Sequence, residues 1–202
     1  KHTVKICEAI ISSGIKFNIC IEAHLKNIDN ELTKILKKAG IKLIYVGIES
    51  AVEEVRKDAK RTSDTNENQI EKVKYLEKNG IRVKSMYIIG MPADTENTFK
   101  KTVDYAKKIN SSYAQFSVFT PYPGTPVFNE YKDKITKNKY EDFTQWQLVF
   151  RHQNLTEKDV LYLLNYSYKE YYSNHKWAIR FLFNKIKDFY ENLHNRLFGF
   201  SR

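Results

Sequence analysis

Residues 43–50 read LIYVGIES. Four apolar or aromatic residues run into Gly47 and Ile48 and then deliver Glu49 and Ser50, two bare polar groups. A short apolar run rich in β-branched and aromatic residues, bounded by such groups, reads as a strand of a parallel sheet buried on both faces. A carboxylate closing a strand of that kind is costly unless something pairs with it. Glu49 is therefore the first residue in the chain to read as a ligand contact.

Outward from this strand, helical and strand patterns alternate from residue 1 to about 128. Residues 2–13 read as a short helix closed by Gly14, and KFNICIEA (16–23) alternates as a strand would. Asp29 is an N-cap, and Ile28, Leu32, Ile35, Leu36 and Ala39 share one helical face before Gly40. After the LIYVGI strand, Asp64 with Glu67 three residues on resembles a capping box, opening a helix that carries Ile70, Val73 and Leu76 to Asn79-Gly80. RVKSMYIIGMP (82–92) is the next strand. Thr95 caps a helix with Phe99, Val103, Ala106 and Ile109 on one face, and AQFSVFTPYPGTP (114–126) is a last strand breaking into a turn. Strands alternating with helices of this length imply right-handed βαβ units and a parallel sheet.

Beyond residue 128 the pattern changes. Residues 129–155 read as an irregular connector with Trp146 and Phe150 as anchors, and residues 156–202 as a helical extension. Tyr166, Tyr168, Tyr171 and Tyr172 fall at helical spacing and read as packing; no RNA-binding signature accompanies them, so nucleic acid is not an expected partner. The last segment places Ile179, Leu182, Phe183, Ile186, Tyr190, Leu193 and Leu197 on one helical face. That face is expected to pack across the barrel helices, although a peripheral membrane contact through 175–202 would suit the same layout.

Bulk properties narrow the class. A chain of 202 residues, 42% hydrophobic, is enough for one sizeable core with an appendage. No stretch reaches the roughly 18 uncharged apolar residues of a membrane span, and Lys5 and Glu8 interrupt the apolar run at the start, so a cytoplasmic protein is expected. Cys7 and Cys20 make neither a disulfide framework nor a metal spacing; each reads as a buried structural thiol. The net charge of +10 is spread along helices rather than gathered in one tract.

In parallel α/β folds ligands bind at the carboxyl ends of the strands. Here those ends carry Glu22, Glu49, Ser50, the Gly90-Met91-Pro92 turn and the Tyr122-Pro123 turn. Meeting at one mouth, they suit a ligand with hydroxyls and an ammonium group, and they supply no nucleophile with its base.

GIKLIYVGIES, VKSMYIIGMPADTENTF and FTPYPGTPVF, in that order, resemble successive strand-end motifs of the radical S-adenosylmethionine superfamily. NLTEKDV followed by YSYKEYYSNHKWAIRFLF is similar to the tail of its branch with a cobalamin-binding domain, with Asn174-His175 in place of the usual Arg-Pro. The resemblance implies an α/β fold, a partial (β/α) barrel holding the third to sixth βα units with a C-terminal helical extension. It implies S-adenosylmethionine and a [4Fe-4S] cluster as cofactors, and cobalamin in that branch. The C-x-x-x-C-x-x-C that holds the cluster is absent from these residues, so its ligands and the cobalamin domain are expected in an N-terminal remainder of the same protein.

By the same resemblance Glu49 and Ser50 would contact the ribose or amino-acid part of S-adenosylmethionine. Glu22, in a stretch resembling I-x-I-E-A but followed by His24-Leu25 rather than Asn-Pro, would add a polar contact. Ile89, Gly90 and Met91 would lie against the adenine, with Tyr122 and Pro123 closing that side. The implied activity is radical chemistry on a small-molecule, lipid or tetrapyrrole-like substrate. The residues leave two alternatives open. One is a methylthiotransferase-like RNA-modifying enzyme, which should end in a small β-barrel; the other is a noncatalytic nucleoside- or partner-binding domain.

Overall fold

The computed structural model describes residues 2–60 and 66–198. Helix α1 (His2–Ser12) precedes β1 (Ile19–Glu22), α2 (Asn30–Lys38), β2 (Ile41–Glu49), a short α3 (Glu53–Asp58) and α4 (Asn66–Lys78). Then come β3 (Arg82–Ile89), α5 (Glu96–Ile109), β4 (Tyr113–Val118), α6 (Pro126–Tyr131), α7 (Glu157–Tyr172) and α8 (His175–Phe198). The strands form one sheet in the order β1-β2-β3-β4, every pair parallel, so the sequence-predicted βα units stand side by side.

Local chemistry places the helix starts where the sequence does. Asp29 accepts the Leu32 N–H at 2.7 Å, and Thr95 and Thr156 each form a reciprocal capping box with the residue three positions on. The capping box expected at Asp64 lies outside the described residues. Helix α3 is too short for a periodicity to announce it.

Burial separates the two faces of the sheet. Ile44, Val46 and Ile48 of β2, Val83, Tyr87 and Ile89 of β3 and Phe116 of β4 are fully buried beneath the helices. Each such aliphatic side chain contributes roughly 1.5–3 kcal/mol. The opposite, barrel-interior face carries Tyr45 and Gly47, Lys84 and Met86, and Gln115 and Ser117, all half-buried. The expectation that β2 is buried on both faces is thus corrected: from Leu43 onward only its even-numbered side chains are fully buried.

Helix α7 seals the outer edge of β4 with tyrosines. Tyr168 and Tyr172 stand one helical turn apart, about 6 Å, which matches the two-residue repeat of a strand, about 6.6 Å. The Tyr172 hydroxyl accepts from Ala114 N at 3.0 Å and donates to Ala114 O at 2.8 Å, and Tyr168 makes the same pair with Phe116 at 3.2 Å each. Tyr171 donates to Ser111 O at 2.6 Å. Backbone groups that would otherwise be orphaned at a sheet edge are satisfied, so the aromatic cluster is packing.

Three further expectations are corrected. Phe150 is an anchor, buried against Phe119 and Tyr131, but Trp146 is 47% exposed because its stretch runs along the surface. Cys7 is buried whereas Cys20 is exposed, since it sits on the end strand of the sheet. Helix α8 crosses the amino ends of the strands and is held there by Trp177 Nε1 donating to Ser112 O at 3.1 Å, by Arg180 donating to Ser111 O and by Asp188 paired with Arg82. Those contacts use one side of α8, so its apolar side faces outward instead of packing on the barrel helices.

Candidate functional site

The end of β2 is where the strand departs from regularity. Gly47 pairs with Met86 and Glu49 with Tyr87, and the register shifts between them as a bulge. Glu49 takes a left-handed backbone conformation at φ 69°, uncommon for a residue with a side chain. A bulge of this kind re-aims a side chain. A Cβ built on Gly47 would lie 2.6 Å from Glu49 Oε1, so the carboxylate lies back over the glycine on the interior face. Glycine at 47 is what leaves room for it.

Ser50, the next residue, points the other way. It is 1% exposed, its hydroxyl lies 3.1 Å from that of Thr102 on α5, and it accepts from Val52 N at 3.2 Å. Arg56, also buried, donates to the Ser50 carbonyl and to Asn66 Oδ1, and Tyr105 donates to the Asn66 carbonyl at 2.6 Å. The hydroxyl expected in the mouth is instead spent in a hydrogen-bonded plug beneath it. The alternation is the reason, because Ser50 follows Ile44, Val46 and Ile48 onto the core face while Glu49 follows Tyr45 and Gly47 onto the interior one.

The β3 end supplies the neighbouring wall. Gly90 turns the chain at φ 73°, while Ile89 and Met91 have their side chains fully buried. Any ligand contact by this segment is therefore through backbone. Asp94, which no sequence pattern singled out, fixes the turn: its carboxylate accepts from Met91 N at 3.1 Å and from the Thr98 hydroxyl at 2.9 Å. Burial raises its pKa to about 6, against the lowering effect of these donors. His152 reaches in from the connector: its Nδ1 accepts from Asn154 N and Leu155 N, which leaves Nε2 to donate to Met91 O at 2.9 Å. Burial holds its pKa below the ordinary value. The one signal in the sequence was an acid just ahead of a capping threonine, easily read as a second cap.

Tyr122 is 46% exposed and Pro123 half-buried, in a turn closed by Thr125, whose N–H and hydroxyl both donate to Tyr122 O. Glu22 is exposed and pairs in register with Tyr45, four residues short of Glu49 and about 13 Å along the strand. The structure therefore brings Glu49, the Gly90 turn and the Tyr122 turn to the carboxyl ends of adjacent strands, and leaves Glu22 level with Tyr45 and Lys84. Among the described residues no three His, Cys, Asp or Glu side chains are grouped to hold a metal.

Residues 1–106, which include β1 to β3 and most of α5, match the family described as the Radical SAM superfamily. The chain belongs to the radical SAM superfamily. Two curated relatives of this radical SAM chain extend the likeness through the tail. An uncharacterized methyltransferase of Pyrococcus horikoshii is 27% identical over 91% of the chain and 40% of its own length. The bacteriochlorophyllide d C-12(1)-methyltransferase of Chlorobaculum tepidum is 24% identical over 92% of the chain and 43% of its own length. The chain thus spans less than half the length of these relatives. The fold is shared with the radical S-adenosylmethionine methyltransferase TsrM of Kitasatospora setae, solved with cobalamin and a [4Fe-4S] cluster bound. That likeness has a TM-score of 0.57 and 19% identity, over 64% of this chain and 25% of that one.

Proposed function

We propose that this chain is the part of a radical SAM methyltransferase that positions S-adenosylmethionine for chemistry on a small-molecule substrate. The observation that carries the reading is the Glu49 bulge, with a carboxylate laid over Gly47 at the carboxyl ends of a parallel sheet. A carboxylate there accepts hydrogen bonds from ribose hydroxyls or from the ammonium group of the ligand, as a charge-assisted contact. The Gly90 turn, with its side chains buried and Asp94 and His152 fixing its backbone, offers a flat rigid edge for the adenine, and Tyr122 and Pro123 flank it. Ser50 acts as a positioning residue: locked to Thr102, it holds the chain end from which Glu49 projects.

S-adenosylmethionine, when bound, supplies the radical or methyl group, and the residues here bind and orient it. The described residues do not fit a [4Fe-4S] cluster, since no cysteine trio is present, so the reading assigns its ligands, and those for cobalamin, to the rest of the protein. The methyltransferase relatives and the cobalamin-bound TsrM support the branch, and the bacteriochlorophyllide relative supports a tetrapyrrole-sized substrate. Similarity to the methyltransferase relatives over 91% and 92% of the chain, α7 and α8 included, favours this branch over an RNA-modifying enzyme. The test is calorimetric titration of the intact, cluster-loaded protein with S-adenosylmethionine. Glu49→Gln is expected to weaken binding about 10- to 100-fold, the worth of a charge-assisted hydrogen bond. Unchanged affinity would overturn the assignment.

A further inference from the structure

The amino-end face of the barrel, opposite the mouth, carries features that S-adenosylmethionine binding does not use. Helix α8 lies flat across it, clamped by Trp177, Arg180 and Asp188 on one side. On the other side Ile179, Leu182, Phe183, Ile186, Phe189 and Tyr190 recur at helical spacing and are each between 48% and 72% exposed. The stripe runs about 17 Å.

Among the described residues, exposed lysines surround this stripe. Helices α2, α4 and α5 all end on this face and expose Lys37, Lys38, Lys78 and Lys108, and Lys42 stands exposed at the start of β2. On α8 itself Lys176 and Lys185 flank the apolar stripe, both exposed. Among the described residues, several acids of the same region are taken up by partners. Asp188 pairs with Arg82, Glu170 with Lys107, and Glu77 accepts from Val83 N and from both the N–H and the hydroxyl of Ser112.

We propose that this face docks on an anionic lipid bilayer, α8 lying in the interface plane with its apolar stripe among the acyl chains and the lysines on the headgroups. An apolar stripe flanked by basic residues is the layout that binds such surfaces. A second copy of the chain is the poorer occupant, because two-fold pairing would set one lysine-rich face against another. The mouth lies at the opposite ends of the strands and so faces away from the bilayer. Docking of this kind fixes where the enzyme works without feeding the mouth directly from the membrane.

The test is sedimentation of the intact protein with vesicles of mixed phosphatidylglycerol and phosphatidylcholine, or of phosphatidylcholine alone, at about 0.1 M salt. Binding to the anionic vesicles is expected, weakened at least about tenfold on neutral vesicles or at about 0.5 M salt. The double variant Leu182→Ser, Phe183→Ser should lose at least about tenfold in partitioning with an unchanged melting temperature, since both side chains are solvent-facing. Failure to bind anionic vesicles, or equal binding by the variant, would overturn the proposal. So would a concentration-dependent dimer that the variant abolishes while lipid binding is absent, which would make a second copy the occupant.

Discussion

Replacing Gly47 by alanine separates the position of the Glu49 carboxylate from its presence. The added Cβ would meet Glu49 Oε1 at 2.6 Å, Cδ at 3.4 Å and Cγ at 3.9 Å. Ordinary contact starts near the second of these distances, so the carboxylate must retreat by most of an ångström. It can do so cheaply, because the clash is with the far end of a flexible side chain. Gly47 lacks the positive φ of the chain's turn glycines, so alanine introduces no backbone strain there. Alanine in place of a strand glycine favours folding by roughly 0.5–1 kcal/mol. The melting temperature should therefore hold or rise slightly. A misplacement of about 1 Å in a positioned group costs up to about 100-fold. Titration with S-adenosylmethionine should show affinity falling at least about tenfold while circular dichroism melting is preserved. Wild-type affinity in Gly47→Ala would refute the reasoning, because the bulge would then aim the carboxylate at nothing. Loss of both folding and binding would refute it equally, by showing that the space over Gly47 belongs to the core.

Other consequences are open to measurement. Asp94 titrates at about 6 in the folded chain against an ordinary 3.8. A folded-state pKa above the unfolded one contributes stability that is present below about pH 4 and lost as pH rises through about 6. Asp94→Asn removes that dependence. Denaturant unfolding should show the variant gaining on the native chain between pH 4 and 6, by up to about 3 kcal/mol, with a constant difference above. His152, shifted downward, contributes stability that is lost as pH falls below its unfolded value. It acts in both chains alike and cancels in the comparison; a difference that shrank with rising pH would contradict the burial of Asp94. On the β4 edge, Tyr172→Phe leaves the Ala114 N–H and C=O unpaired and should cost about 1–3 kcal/mol. Hydrogen exchange at Ala114 should quicken, whereas Tyr166→Phe, on the same helix, should change little. Equal effects from the two would remove the edge-sealing role of Tyr172.

The βα order, the caps at Asp29 and Thr95 and the apolar faces of α2 and α5 were legible in the sequence because each is set within one or two turns of chain. Motif order likewise carried the superfamily. The features that were not legible depended on contacts between distant segments. Glu22 and Glu49 both close strand-like runs, but the pairing of β1 with β2 sets them about four residues apart in level, and register is a property of two strands together. Ser50 reads like Glu49 until packing shows that its face of the strand meets Thr102, a partner 52 residues away. Asp94 drew no reading from the sequence, and only burial beneath the connector gives it a raised pKa.

The sequence by itself thus determined that the chain folds as consecutive βα units with Glu49 at a strand end, because periodicity and capping act locally on backbone conformation. Tertiary structure alone decided which polar groups face the mouth and that the apolar side of α8 faces outward. Strand pairing sets which side chains stand level at the mouth, and a helix shows solvent whichever side its partners leave free.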